Sequence, residues 1–108
     1  MTMKPHDINI NAKSRQVRKN LLAALGRLCT IKYSAVNGEV DIQGDLSDDI
    51  LRQIAPTTND VAVALIDLNV YQTRYQLLQL AEEGVVLKTG VSKGRPIHWW
   101  LIGADKNT

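Results

Sequence analysis

One segment of the sequence, NVYQTRYQLLQLAEEG at residues 69–84, carries side chains that suit binding better than packing. Its leucines recur on one side of a helix, and the polar or aromatic residues that remain are Tyr71, Gln72, Arg74, Tyr75, Gln76 and Gln79. Arginine pairs bidentately with guanine and glutamine with adenine, whereas tyrosine offers a hydroxyl to phosphate and a ring to thymine methyl groups or sugars. The segment therefore favours contact with nucleic acid, with a solvated helix face or a protein-binding face as the alternatives.

The other reactive side chains lack the spacing that catalysis or metal binding requires. Cys29 is the single cysteine, so we expect a small buried apolar residue and no internal disulfide. His6 and His98 are far apart and have no carboxylate or thiol at ligand spacing. The sequence also lacks paired carboxylates, a nucleophile with a base and a phosphate-binding loop. We therefore expect no enzymatic activity, no metal and no cofactor.

The charges are segregated along the chain, although the formal net charge is only +2. Residues 1–32 are basic, residues 39–67 are acidic, and the remainder is basic again. This segregation suits a protein with one face toward a polyanion, and simple solvated faces are the alternative. The sequence contains no apolar run long enough to span a membrane and no secretory pattern at its start, so we expect a cytoplasmic protein.

Hydrophobic spacing and cap residues predict the elements that precede the opening segment. Residues 1–13 are polar and poorly patterned, which indicates a flexible tail. Ser14 can cap a helix that runs to about Leu28, and the alternation in residues 31–44 around an Asn-Gly dipeptide predicts a small β-hairpin. The apolar stripe of this helix must be buried, either against the rest of the chain, which we favour, or in a homodimer.

Three further helices are expected. Ser47 caps a short helix that ends before Pro56, and Thr58 or Asn59 caps another that breaks around Asp67-Leu68. The opening segment forms the third helix, residues 69–83, with Asn69 as its cap and Gly84 as its left-handed end. The residues on the inner side of this helix are Thr73, Leu77 and Leu80. Those left on its outer side, near the N-terminus, are Val70, Tyr71, Gln72, Arg74, Tyr75 and Gln76.

A β-hairpin with a basic tip is predicted at the end of the chain. Two β-prone runs, VVLKT and IHWWLI, are joined by GVSKGRP, and the cations Lys88, Lys93 and Arg95 suit contact with phosphate. Trp99 and Trp100 are neighbours in the second run and should point to opposite faces of the strand. We expect one to close the core behind the helix at residues 69–83 and the other to be left outward, on the hairpin or against the N-terminal helix.

The order of these elements predicts an α+β chain with a winged helix-turn-helix domain at residues 45–103. This domain has a three-helix core and a C-terminal two-stranded wing whose basic part is residues 88–96. An N-terminal helix and small β-hairpin precede it at residues 14–44, and residues 104–108 form a tail. In this architecture the helix at residues 69–83 enters the major groove while the wing contacts phosphate.

Residues 71–103 also carry a family pattern. It consists of Tyr71-Gln72-x-Arg74-Tyr75-x-Leu77-Leu78-x-Leu80, Glu83-Gly84-x-Val86, Gly94 and Trp99-x-Leu101-x-Gly103. This pattern resembles the small fimbrial regulators of the PapI/FaeA type, which are winged-helix DNA-binding proteins that control phase-variable pilus operons. The resemblance implies transcriptional regulation near sites of the leucine-responsive regulatory protein, a candidate partner, with coupling to adenine methylation of the DNA.

The resemblance also assigns roles to residues. Recognition falls on Tyr71, Gln72, Arg74 and Tyr75, and the role of the basic wing falls on Lys93 and Arg95. Members of the family are shorter and begin near the helix that follows Ser47, so residues 1–44 have no counterpart among them. An alternative is therefore a plasmid or phage regulator that has the same DNA-binding module but no role in pilus expression.

The sequence thus predicts a sequence-specific transcriptional regulator that binds double-stranded DNA. The residues expected to bind DNA are Tyr71, Gln72, Arg74, Tyr75, Gln76, Lys88, Lys93 and Arg95. The alternative is a winged-helix adaptor that binds a host regulator rather than DNA, because exposed tyrosines also suit a protein partner.

Overall fold

The computed structural model describes residues 5–36, 38 and 46–104 of the chain, which is α+β. Its elements are α1 (Pro5–Ala35), α2 (Asp48–Ile54), α3 (Thr58–Ala64), α4 (Val70–Glu82), β1 (Val86–Lys88) and β2 (Trp99–Leu101). The strands pair antiparallel, with Val86 opposite Leu101 and Lys88 opposite Trp99. Across the described residues, four helices and a two-stranded sheet in this order are compatible with a winged helix.

Helix α1 extends beyond the predicted C-terminal end near Leu28 and reaches Ala35. The prediction of a first β-strand at residues 31–36 is therefore wrong, and the second strand of that hairpin lies outside the described residues. Tyr33 packs edge-on against Trp100 with ring centroids 6.1 Å apart, and Lys32 Nζ approaches Asp60 Oδ2 to 3.9 Å. Contacts with distant parts of the chain therefore favour the helix where local alternation favoured a strand.

The start of α1 also differs from the prediction, because residues 5–13 are helical rather than a flexible tail. Pro5 occupies the first helical position, where its fixed φ suits a helix and its missing N–H costs no hydrogen bond. No proline or glycine follows until Gly26, so nothing in the sequence interrupts the helix. Residues 1–4 of the predicted tail lie outside the described part of the chain.

The predicted caps of α2 and α4 are confirmed, whereas that of α3 is displaced by one residue. Ser47 Oγ accepts from the Ile50 N–H at 3.3 Å. Thr57, rather than Thr58 or Asn59, caps α3, because its hydroxyl accepts from the Asp60 N–H while the Asp60 carboxylate accepts from the Thr57 N–H. Thr58 Oγ1 instead accepts from the indole N–H of Trp99 at 2.8 Å inside the core.

One core joins α1 to the rest of the molecule. Leu21, Leu25 and Cys29 of α1 are fully buried in the same cluster as the residues of α2 to β2. Trp99 contacts α3 through its hydrogen bond with Thr58, and Trp100 packs on α1. The prediction that α1 packs within the chain is therefore confirmed. One tryptophan was expected to be left outward, but both are buried, because Tyr33 of α1 packs against Trp100.

The C-terminal end of the described chain belongs to this core. Ala104, the first residue of the predicted tail, is fully buried. Residues 105–108 lie outside the described part. No helix among the described residues is both long and apolar enough to cross a membrane.

Candidate functional site

The outer side of α4 displays two aromatic rings to solvent. Thr73, Leu77 and Leu80 are buried, as their spacing predicted. Tyr71 is 84% exposed and Tyr75 is 60% exposed. Most of the surface of these two residues stays in contact with solvent, so burial in the core does not explain them. Together with the exposed Gln72 and Arg74 they form a surface that we call the α4 face.

Gln72 has a local role in addition to its place on the α4 face. Asn69 Oδ1 accepts from the Gln72 N–H at 2.8 Å, and Gln72 Oε1 accepts from the Asn69 N–H at 3.0 Å. This reciprocal capping box occupies the side-chain oxygen of Gln72. A bidentate pair with adenine requires both the oxygen and the amide nitrogen, so Gln72 must leave the capping box to make one. The Asn69-x-x-Gln72 spacing is the sequence signal for this second role, which was not among the predictions.

A cleft lies between one flank of α4 and the loop that joins β1 to β2, residues 89–98, and we call it the loop cleft. Val70 and Arg74 contribute from α4, while Val91, Ser92, Arg95, Pro96 and Ile97 contribute from the loop and Thr58 and Asn59 from α3. The structure therefore brings together Arg74 and Arg95, two of the predicted binding residues. Asn59 and Ser92 are polar groups of the same cleft that the sequence analysis did not select, because their proximity depends on tertiary packing.

Hydrogen bonds hold the β1–β2 loop, which carries Lys93 and Arg95, in position. The backbone N–H of Gly90 donates to Asp48 Oδ2 at 3.0 Å, which ties the loop to the first turn of α2. At the tip the Arg95 N–H donates to the Ser92 carbonyl, and Gly94 has φ +80°, a left-handed conformation that favours glycine. Lys93 and Arg95 are exposed there. Lys88 lies outside the loop cleft on β1, half-buried, with its ammonium 3.5 Å from the Thr89 carbonyl oxygen.

The opposite flank of α4 borders α1 across a second groove, which we call the α1 groove. Its lining residues are Lys13, Ser14 and Val17 of α1, Leu68, and Tyr71, Gln72, Tyr75 and Gln76 of α4. Between the same two helices, Arg18 Nη2 of α1 donates to Glu83 Oε1 at the end of α4 at 2.8 Å. The hydrogen bond raises the pKa of the Arg18 guanidinium and lowers the pKa of the Glu83 carboxyl. Both charged forms are thus favoured where α1 meets the end of α4.

The segment that contains α2 to β2 matches a known protein family. Residues 46–103 match the model of the FaeA-like protein family, and this segment covers more than half of the 108 residues. The chain belongs to the FaeA-like family. The match confirms the resemblance seen at residues 71–103 and extends it to the residue before the Ser47 cap. No curated protein and no solved structure matches the chain.

The FaeA-like segment contains the α4 face and the loop cleft but not α1. All eight predicted binding residues fall within residues 46–103, as do Asn59 and Ser92. The cap, the inner residues and the outer residues of α4 therefore all belong to the family region. The α1 groove is different, since one of its two sides lies outside that region.

The cysteine and the C-terminal histidine of this FaeA-like chain have structural contacts. Burial raises the pKa of the Cys29 thiol to about 11, and its sulfur accepts a hydrogen bond from the Leu101 N–H. The ring Nδ1 of His98 lies 2.6 Å from the Ala55 carbonyl oxygen, to which it donates. Among the described residues, no three His, Cys, Asp or Glu side chains lie close enough together to hold a metal ion.

Proposed function

We propose that this FaeA-like protein is a non-enzymatic transcriptional regulator that binds specific sites on duplex DNA through a winged helix-turn-helix. In this proposal α3 and α4 form the helix-turn-helix, α4 is the recognition helix in the major groove, and the β1–β2 loop is the wing. The observation that carries the proposal is the α4 face, with two exposed tyrosines and an arginine that shares its cleft with a second arginine from the loop.

The two arginines of the loop cleft have different tasks in this mechanism. Arg74 projects from the first turns of α4, where recognition helices meet base edges, and its planar guanidinium pairs bidentately with guanine. Arg95 and Lys93 lie on the loop beside α4, where the phosphate strand that borders the groove would pass. Base contact and phosphate contact therefore come from neighbouring elements with a fixed mutual position.

Membership of the FaeA-like family supports a role in fimbrial regulation. In this role the protein acts in the cytoplasm, on regulatory DNA near sites of the leucine-responsive regulatory protein. The pilus role is an additional proposal, since the DNA-binding module also suits a plasmid or phage regulator with other target genes.

Selection of bound sites from a random duplex library tests the proposal most directly. The full-length protein is incubated with the library, with and without the leucine-responsive regulatory protein, and the recovered duplexes are sequenced. We expect one recurring site whose affinity falls steeply as salt rises, because released counterions contribute to binding. Failure to enrich any site in either arm, with no measurable affinity for duplex DNA, would refute the proposal.

A second function, a protein-binding adaptor, is favoured by the apolar character of the α1 groove. Val17 and Leu68 lie there beside Tyr71 and Tyr75, and aromatic side chains of this kind often dominate protein interfaces. An adaptor would require the tyrosines but not Lys93 for its activity. Replacement of Tyr75 and of Lys93 with alanine, each assayed for duplex binding and for binding to the leucine-responsive regulatory protein, separates the two functions.

A further inference from the structure

Helix α4 has basic side chains beside both of its flanks. On one flank Val70 and Arg74 face the loop that carries Lys93 and Arg95. On the other flank Gln72 and Gln76 face α1 across the α1 groove, and Lys13 lines the α1 side of that groove. The tyrosines lie between these two sets of α4 residues, as the helical period of 3.6 residues requires, and they also line the α1 groove.

Helix α1 is fixed relative to α4, so the position of Lys13 is set by the fold. Leu21 and Leu25 are fully buried in the common core. The Arg18–Glu83 hydrogen bond of 2.8 Å joins α1 to the C-terminal end of α4. Lys13 precedes Arg18 by five residues on the same helix, a rise of about 7.5 Å. Its charge is therefore carried on a short, continuous helical segment beside the α4 face.

The major groove of duplex DNA has phosphates on both sides of a helix that lies in it. An α-helix with its side chains is about 10–12 Å across, and the major groove of B-form DNA is about 12 Å wide with a phosphate strand along each edge. A helix in the groove therefore has one phosphate strand on each flank. The loop cations and Lys13 lie on opposite flanks of α4.

We propose that Lys13 of α1 binds the backbone phosphate on the strand of the major groove that lies opposite the strand contacted by the β1–β2 loop. The inference rests on the proposed DNA-binding function and adds a contact from outside the FaeA-like segment. Through this contact α1 extends the DNA-binding surface and fixes the angle at which α4 enters the groove.

The salt dependence of DNA affinity tests the inference, with the selected site and a random duplex as probes. Each phosphate contact on B-form DNA contributes about 0.9 to the slope of log affinity against log salt. For Lys13→Ala we expect the slope to decrease by about that amount, and the loss of affinity to be similar on both probes. Lys13→Arg should retain the wild-type slope.

Lys19→Ala is the matched control, because Lys19 is an exposed lysine of the same helix that does not line the α1 groove. We expect the slope of this variant to equal that of the wild type. Far-ultraviolet circular dichroism of each variant checks that α1 stays helical.

Phosphate ethylation interference locates the contact. Ethylation of one phosphate should weaken binding of the wild type but not of Lys13→Ala, and this phosphate should lie on the strand opposite the one identified in the same way with Lys93→Ala.

An unchanged slope and interference pattern in Lys13→Ala, or both phosphates on one strand, would overturn the inference while leaving the proposed function intact. Absence of duplex binding by the wild type would instead refute the proposed function. Loss of binding to a protein partner in Lys13→Ala, with unchanged DNA affinity, would assign the α1 groove to that partner and also overturn the inference.

Discussion

At the scale of single residues, position rather than type separates the cations of this molecule. Arg74 projects from α4 into the loop cleft, Lys93 is exposed at the loop tip, and Lys88 is half-buried on β1. An arginine in reach of base edges discriminates between sequences, whereas a lysine on phosphate adds affinity for any sequence. We therefore expect Arg74 and Lys93 to differ in their effects on DNA sequence specificity, although both carry one positive charge.

Arg74→Ala and Lys93→Ala should separate these two effects. If Arg74 makes the proposed bidentate base contact, we expect Arg74→Ala to weaken binding to the selected site by about 1–3 kcal/mol and to have a much smaller effect on a random duplex. Lys93→Ala should weaken binding to both duplexes by the same factor and reduce the salt slope. Fluorescence anisotropy with the two labelled duplexes measures both quantities. Equal losses on both duplexes for Arg74→Ala would assign that side chain to phosphate instead.

Cys29 should react with thiol reagents only when the protein unfolds. The buried thiol has a pKa of about 11, above its ordinary value of 9.0, so the native state holds it protonated near neutral pH. Because this pKa is higher in the folded protein, the unfolded chain loses the thiol proton first as pH rises. The free energy of unfolding should therefore fall between pH 9.0 and about 11. Iodoacetamide labelling in increasing urea, followed by mass spectrometry, should track unfolding by circular dichroism. Rapid labelling without urea would contradict the burial of Cys29.

At the scale of elements, the helix boundaries divide into those set by local chemistry and those set by contacts. The caps Ser47 and Asn69 were predicted because a capping side chain bonds to a backbone N–H only three residues away. The end of α1 was mispredicted because Tyr33 packs on Trp100, which is distant in sequence. The predicted cap of α3 was displaced because Thr58 is committed to Trp99 in the core, which leaves Thr57 as the cap.

Asn69→Ala should shorten or loosen the start of α4, the part of the helix that carries the α4 face. Both hydrogen bonds of the Asn69–Gln72 capping box depend on this cap geometry, and loss of a cap costs about 0.5–2 kcal/mol of folding free energy. Urea denaturation measures the change. Asn59→Ala is the control, because Asn59 is an exposed asparagine that does not cap α3. Equal stability of the two variants would show that the capping box contributes nothing.

At the scale of the whole molecule, α1 shares one hydrophobic core with the FaeA-like segment. Helix α1 packs against β2, α2 and α3, and Tyr33 of α1 packs edge-on against Trp100 of β2. The family segment thus begins after a helix that supplies one side of its core in this chain. We therefore expect α1 and the remainder to unfold together rather than as separate units.

Leu25→Ala should destabilise the entire chain by about 2–5 kcal/mol, because it leaves a cavity where a fully buried leucine fills the core. Tryptophan fluorescence reports on β2 and far-ultraviolet circular dichroism reports mainly on the helices, so the two urea transitions should coincide and shift together. Ile31→Ala is the control on the same helix, since Ile31 is 58% exposed and its replacement should change stability by about 0.5 kcal/mol or less. Separate transitions in the two signals would show that α1 unfolds independently.

The sequence by itself determined which side of α4 is outward and which residues lie there. Thr73, Leu77 and Leu80 repeat with the helical period and are buried together, so the opposite position of Tyr71 and Tyr75 follows from local geometry. Only the tertiary structure decided that Arg74 shares a cleft with Arg95 and that Lys13 borders the other flank of α4. The physical reason is that helical periodicity and capping act over three or four residues. The sides of both grooves, by contrast, come from segments that meet only when the common core forms.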